Sequence, residues 1–507
     1  MNELFKWIIK LRLSQVEDVR LRPFELQSKW FSFLVSNLSK TQWGKSFDLP
    51  EDCDYHHFQN AVPLQTYDTL KPFIEQAIKG ESDVLWKGKT MWFAKSSGTT
   101  SDRSKLIPVT EESLFENHYK SGKDLLANYY EIFENAQLFS GKTLVVGGSS
   151  QVNELSVNSY TGDLSAIILK NLPWWVEMRR TPSKEIALMS EWEEKIEKMA
   201  LETMQEDVRI LSGVPSWTLV LCHRILELKK ANHLLEVWPN LELFMHGGVN
   251  FEPYRSEFEK IIPSEKMNYI ETYNASEGMF GFQDRKGVSD MLLLLDHGIF
   301  YEFIPMSEYD EVNSKTVLTL KDVQIGVNYA LVISTIGGLW RYIVGDTIMF
   351  TSIAPFRFKV TGRTKSFINV FGEELIVDNA EQAIAKTCLA TNSQVMNFTA
   401  APVFMAFGET VTKGQHEWII EFLQEPTDKA LFGTLLDQNL RLINSDYDAK
   451  RTKDIAFLAP KIHFAPKGTF DTWLKSRGKM GGQHKIPRLS NDRDILEEVL
   501  KLLNDTK

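Results

Sequence analysis

Apolar positions recur at helical spacing over Phe24 to Leu38, where Leu26, Trp30, Phe33, Leu34 and Leu38 share one face. The same period predicts helices over Tyr67 to Ile78, Glu112 to Tyr130 and Pro253 to Ile262. Another, with Ser190 as its cap, carries Trp192, Ile196, Met199, Thr203 and Met204 along one side. Met1 to Arg12 reads as a short amphipathic helix. Strands are expected over Val84 to Ala94, at Leu144-Val145-Val146, at Leu241 to His246 and at Tyr269 to Thr272. Short runs at 291–295, 300–304, 316–320 and 329–335 alternate with turn residues and predict a β-rich subdomain. After Pro355 come a helix near 377–389 and three strand-like runs. The pattern is mixed α/β: a large N-terminal domain of β-sheets flanked by helices, over 1–358, and a smaller C-terminal α+β domain over 359–507. The hinge between them is expected near 356–365.

Composition narrows this only a little. A chain of 507 residues, 43% apolar and 24% charged, is that of a globular protein with more than one core. A net charge of −10 argues against non-specific nucleic-acid binding. Cys53, Cys222 and Cys388 lie far apart, which fits a reducing cytoplasm. No window approaches the roughly 18 apolar residues of a membrane span, and the N-terminus lacks the features of a signal peptide. The expected protein is cytoplasmic, with no membrane or nucleic-acid partner; its oligomeric state is open, and a monomer is compatible with the pattern.

Candidate chemistry begins at Trp92 to Lys105. A strand-like approach enters Ser96-Ser97-Gly98-Thr99-Thr100-Ser101, small and hydroxylated, and then basic residues. Such a loop offers backbone amides and hydroxyls to anionic oxygens, and Lys105 adds charge. A flexible Ser/Gly turn explains it equally well in isolation. Gly44-Lys45-Ser46 resembles the end of a Walker loop, but Ser39 stands where that motif requires glycine. His56-His57 has no partner at metal-ligand spacing.

Two later junctions share the theme. Tyr273-Asn274-Ala275-Ser276-Glu277 brings an aromatic able to stack on a base, a hydroxyl and a carboxylate suited to Mg²⁺. Tyr342-Ile343-Val344-Gly345-Asp346 presents a carboxylate suited to vicinal hydroxyls. Each has a plain structural reading: Glu277 as a helix cap, Asp346 as a turn residue. Their order makes coincidence the weaker explanation.

The sequence resembles the adenylate-forming superfamily of luciferase and acyl-CoA synthetases. More closely it resembles the auxin-responsive acyl acid–amido synthetase family, which has bacterial members. Ser96 to Thr100, Tyr273 to Glu277 and Tyr342 to Asp346 match that family's three nucleotide signatures in order. Phe58 to Lys105, Gly162-Asp163-Leu164-Ser165, Gly468 to Asp471 and Lys485 to Arg488 extend the likeness over essentially the whole chain. The resemblance implies that Ser96, Ser97, Gly98, Thr99 and Thr100 hold the ATP phosphates. Tyr273 would face adenine near Gly247 and Gly248, Ser276 and Tyr342 would complete the nucleotide site, and Asp346 would hold ribose. Glu277 would bind Mg²⁺ and act in catalysis. Arg363 and Lys365 would reach the nucleotide from the hinge, and Lys485 would enter in one orientation of a mobile C-terminal domain. Against the wider superfamily, Ser101 replaces a glycine and Lys105 is displaced by one position. Gln483-His484-Lys485 replaces the Ser/Thr-Gly-Lys of acyl-CoA synthetases and favours the amido synthetase branch.

The implied reaction adenylates a carboxylic acid with ATP and passes the acyl group to an amino acid. An acid–CoA ligase with the same first step is the alternative, and an inactive nucleotide-binding homologue is a third. For the acid's pocket, Leu164, Ser165, Trp174, Trp175, Met178 and Arg179 are candidates. His246 and His223 are candidates for a base.

Overall fold

The computed structural model describes every residue except 1, 97–104, 148–151, 190, 249–250, 311–313, 365–366, 369–374, 404–413, 445–446, 449–450, 452–456, 478–485, 491–492 and 506–507. The fold is mixed α/β, as the periodicity predicts. Its contacts divide it into two compact units, Met1–Val344 with Ile348–Val360, and Gly345–Thr347 with Thr361–Lys507.

In the first unit, β1 (Trp92–Ser96) and β2 (Lys105–Val109) form an antiparallel pair. With β4 (Asn153–Ser156) and β5 (Ser159–Gly162) they make a four-stranded sheet in the order β2-β1-β5-β4. A twelve-stranded sheet carries the rest. Its first half holds β3 (Lys142–Val146), β6 (Arg180–Thr181), β7 (Val208–Gly213), β8 (Leu243–Gly247) and β9 (Asn268–Ala275). These five are parallel in the order β9-β8-β7-β3-β6. The helices Trp192–Thr203, Pro215–Lys229 and Glu252–Ile261 connect them. Their apolar faces, with Met199, Leu221, Cys222 and Phe258, close a core over Leu144, Leu211 and Phe244.

The other half is antiparallel: β10 (Gly278–Phe282), β11 (Met291–Leu293), β12 (Ile299–Pro305), β13 (Leu318–Thr319), β14 (Asn328–Thr335), β15 (Tyr342–Ile353) and β16 (Phe356–Arg363). The sheet runs β13-β12-β14-β15-β16-β11-β10 and then joins β9. Its core includes Tyr301, Phe303, Leu331, Trp340 and Phe350.

In the second unit, β17 (Phe367–Ile368) pairs with β18 (Leu375–Ile376). Strands β19 (Gln394–Val403), β20 (Gln415–Gln424) and β21 (Lys461–Ala465) form a three-stranded sheet. Alternation along β20 sorts its side chains to two cores. Trp418 and Ile420 meet the helices Val377–Thr391 and Lys429–Ile443, and Ile419 meets Thr469–Ser476 and Asp494–Asp505.

Several expectations need correction. Strand structure does not run from Val84; it begins at Trp92. Val84, Leu85 and Trp86 are buried in a turn closed by Asp83 and Gly88, whose φ angles are 56° and 75°. Gly88 N donates to Asp83 Oδ1 at 2.7 Å. The expected helix over Glu112 to Tyr130 spans Glu111 to Ile132, with a π-helical segment at Leu114–Tyr119. Glu191, not Ser190, stands at the N-cap of Trp192–Thr203; Ser190 lies outside the described residues. Tyr342 to Asp346 is not a strand-to-loop junction but the start of a twelve-residue strand, entered with Gly345 at φ 90°. Long-range pairing decides this, and local turn signals cannot report it.

Candidate active site

Parallel strands present their carboxyl ends to a common edge, and in open α/β sheets ligands bind there. Three neighbouring strands reach that edge with glycine in or just after the last position: Gly147 after β3, Gly213 in β7 and Gly247 in β8. They are level with one another, because Val146 lies opposite Gly213, Gly213 opposite His246, and Gly247 opposite Thr272. At Gly213 and Gly247 there is no room for a side chain, and at Gly147 one would press on its neighbour. A Cβ on Gly247 would stand 2.3 Å from Thr272 O, and one on Gly213 2.6 Å from Val146 O. A Cβ on Gly147 would stand 3.1 Å from Ser165 Oγ. Gly248 then takes φ 80°, in the left-handed region that glycine adopts without strain.

The next strand carries the second motif. Tyr273 lies in β9, and its ring packs against Phe280 and Phe358 with centroids 4.8 and 6.0 Å apart. It is only 9% exposed, so little of the side chain is available to a ligand. Ala275 pairs with Gly278, which makes Ser276-Glu277 a two-residue turn at the tip of the β9–β10 hairpin, not a loop or a helix cap. Both turn residues are half-buried.

The π-helical segment braces this hairpin. Asn117 Oδ1 accepts from Met279 N at 2.7 Å, and Asn117 Nδ2 donates to Met279 O at 3.2 Å and His297 O at 2.9 Å. Burial pushes His118 down to about 4, partly opposed by a hydrogen bond to the Asn274 side chain. A π turn costs helix regularity and is found frequently at functional sites. Sequence reasoning passed over Asn117 and His118, because nothing in helical periodicity marks a π turn. It passed over β7 as well, although Val208 to Leu211 followed by Ser212-Gly213 and Pro215 repeats the glycine-ended pattern of β8.

On the four-stranded sheet, Ser96 pairs with Lys105 at the mouth of the β1–β2 hairpin. Ser97, Gly98, Thr99 and Thr100 lie outside the described residues, as do Lys365 and Lys485. Lys105 Nζ sits 5.9 Å over the Tyr67 ring, and Leu106 N donates to Tyr67 Oη at 3.0 Å. Strand β5 runs parallel to β1 with Gly162 opposite Ala94. Asp163 and Leu164 therefore leave the sheet beside Ser96, where the helix Leu164–Lys170 starts with Asp163 as its N-cap residue. Leu164 is buried and Ser165 half-buried.

Within the second unit, Asp346 is 8% exposed and its Oδ1 lies 3.0 Å from Arg363 Nε. Thr364 N donates to Gly345 O at 2.9 Å, and the hydroxyls of Thr347 and Thr361 are 3.0 Å apart. Two motifs 17 residues apart in sequence (346 to 363) thus form one cluster. Tyr342, in the first unit, is fully buried.

The remaining candidates are placed elsewhere. Trp174 is 73% exposed and Met178 is 59% exposed. Trp175 stacks on Phe5 at 6.3 Å, and the Arg179 guanidinium lies 5.8 Å from the same ring. Both therefore pack on the N-terminal helix Asn2–Lys10. His246 is buried against Phe251 at 4.1 Å, and burial together with Arg255 pushes it down to about 3. It stays neutral and weakly basic. His223 is half-buried and pairs with Glu257 at 3.2 Å. Among the described residues no three His, Cys, Asp or Glu side chains gather as a metal cluster. A lone Glu277 still suits Mg²⁺, which takes one or two carboxylates and fills its shell with water and substrate phosphates.

Profiles of the GH3 family N-terminal, central and C-terminal domains match residues 12–267, 292–363 and 378–494. The chain belongs to the GH3 family. Indole-3-acetic acid-amido synthetase GH3.4 of Arabidopsis thaliana is 22% identical, with 97% of this chain and 93% of that protein covered. The 4-substituted benzoates-glutamate ligase GH3.12 of the same plant is 23% identical over 96% and 95%. Among solved structures, the GH3.15 acyl acid amido synthetase aligns with a TM-score of 0.78 at 18% identity, covering 97% of this chain and 95% of that one. A 2-hydroxyisobutyryl-CoA ligase in complex with 2-HIB-AMP aligns with a TM-score of 0.58 at 11% identity, over 96% and 94%. The GH3 membership and the adenylate-forming fold are those that the three motifs led us to expect. No described helix is long and apolar enough to cross a membrane.

Proposed function

We propose that this GH3 protein is an ATP-dependent acyl acid–amido synthetase, which activates a carboxylic acid as its adenylate and transfers the acyl group to an amino acid. The observation that carries the reading is the row of glycine-ended parallel strands, Gly147, Gly213 and Gly247, beside the Tyr273–Glu277 hairpin. Bare backbone at that edge suits close approach of a nucleotide.

In this reading Ser96 to Thr100 hold the phosphates and the Tyr273 edge meets adenine, with Gly247 and Gly248 beneath it. Asp346, aligned by Arg363, holds the ribose hydroxyls, and Lys365 and Lys485 serve the reacting phosphate. Glu277 would hold Mg²⁺ together with ATP oxygens, and the ion would offset charge as pyrophosphate departs. Attack of the acid's carboxylate on the α-phosphate makes AMP the leaving group, and an amine then displaces it. Water must be excluded meanwhile, for which rotation of the second unit about a hinge near 356–365 is the natural device. His246, made a weak base by its burial, is poorly suited to take the amine's proton.

The amide product is favoured over a thioester by GH3 membership, since the curated relatives bear the names of amido synthetases and ligases. Purified protein should release AMP from ATP only with a matching acid and amino acid, and mass spectrometry should find the amide. AMP release driven by CoA in place of amino acids would overturn it in favour of the CoA ligase reading.

A further inference from the structure

Lys195 is the fourth residue of the helix Trp192–Thr203, and its own amide closes the first turn on Glu191 O at 2.9 Å. The residue is completely buried. An ammonium there is costly twice over. Burial removes its hydration, and the N-terminal end of a helix repels cations. An apolar residue would pack at this position without either penalty, so the charge has to be explained by what it touches.

It touches the place where the two sheets of the first unit come together. Lys195 Nζ donates to Gly147 O at 3.3 Å, at the end of β3 in the large sheet. The carboxylate of Asp163, 6% exposed, lies close enough to favour its charged form, though burial still draws the ammonium down to about 8. Asp163 opens the helix after β5, in the four-stranded sheet, level with Ser96 where the phosphate loop begins. Ser165 of the same turn lies against Gly147. One buried cation thus donates to the end of the sheet whose strand ends would read the nucleoside and lies in the field of the carboxylate that follows the sheet whose hairpin would hold its phosphates. The α-phosphate lies between those parts of ATP, and there the acid must attack in line.

We propose that Lys195 is a positioning residue for acyl-adenylate formation, fixing the end of β3 against the Asp163–Ser165 turn so that the two sheets keep one spacing. This rests on the activity proposed above. It predicts a selective defect. In the full chain, Lys195→Met should slow formation of acyl-AMP from acid and ATP by about 10²-fold, the scale of a 1 Å misplacement. The same variant, given synthetic acyl-AMP and amine, should form amide at the wild-type rate. Lys195→Arg, which keeps the cation, should recover at least about tenfold of the loss. Wild-type acyl-AMP formation by Lys195→Met, or equal loss of both half-reactions, would overturn the role. If Lys195→Met does not fold, Asp163→Asn is read the same way. Hydrogen exchange separates this proposal from the activity: amides in 143–147 and 163–167 should exchange faster in the variant, and unchanged protection would sink the positioning role even if no acid is ever found. A wild-type protein that forms no acyl-AMP while its variant shows faster exchange would refute the activity alone.

Discussion

The two halves of the large sheet treat polar groups in opposite ways. In the parallel half, β3, β7 and β8 reach their ends as bare backbone, and the polar chemistry gathers at the edge around Gly147, Gly213 and Gly247. In the antiparallel half, charge is sealed inside. Glu302 in β12 is completely buried and meets Arg341 at 3.0 Å, while Tyr55 Oη donates to the same carboxylate at 2.8 Å. Arg341 also donates to Gln59 O and Val62 O, and holds φ 41° just before β15. One half ends its strands as bare backbone; the other spends buried hydrogen bonds on fixing the strand that leads to Asp346. Damage to the first should appear in rates, and damage to the second in stability.

The largest effect is expected in the sealed half. Glu302→Leu leaves the Arg341 guanidinium buried without its carboxylate, and should lower unfolding free energy by about 3–5 kcal/mol in urea titration. Turnover per folded molecule should change far less; a variant as stable as wild type would break the comparison. In the open half, Gly247→Ala forces Thr272 O away from a Cβ at 2.3 Å. It should reduce AMP formation by about 10²-fold while circular dichroism stays native. Between the halves, Asn117→Ala removes the partners of Met279 N and O. It should cost about 1–3 kcal/mol and also slow adenylation, since the β9–β10 hairpin carries Glu277.

The last effect, smallest over a single pH unit near neutrality, is in pH dependence. His118 and His246 are buried neutral, with folded values of about 4 and about 3 against 6.5 for the free side chain. The unfolded chain therefore binds protons that the folded chain refuses. Their contribution is constant above 6.5, and stability should fall as pH drops from there toward 4, by about 1.4 kcal/mol per pH unit for each histidine. His246→Phe should remove one such share from the pH titration of unfolding. An unchanged slope would show that His246 is not held neutral.

Which parts of this were legible from sequence follows from the range of the forces involved. The helices and the apolar cores were, because burial imposes a period that one stretch displays by itself. The family was, because the three motifs that point to it are contiguous. Pairing between distant strands was not. Ser276-Glu277 became a hairpin tip only through the match of Ala275 with Gly278, and Tyr342 to Asp346 became part of a strand through its neighbours in the sheet. Trp174 and Trp175 look alike in sequence, yet one is in solvent and the other lies on Phe5. Lys195 sits among Glu193, Glu194, Glu197 and Lys198 in a run that reads as a solvated face. Only the fold shows that this one charge points inward.

A site whose shape is set by missing side chains imposes an unusual kind of selection. At Gly213 and Gly247 the requirement is negative, that nothing extend from the backbone, and it is met by one amino acid whatever surrounds it. The residues beside such positions are free to drift so long as the strands stay adjacent. A sequence can then change at most positions around these strands while the bare strand ends stay as they are. An identity of 18% beside a TM-score of 0.78 shows how far sequence can part while the fold is kept.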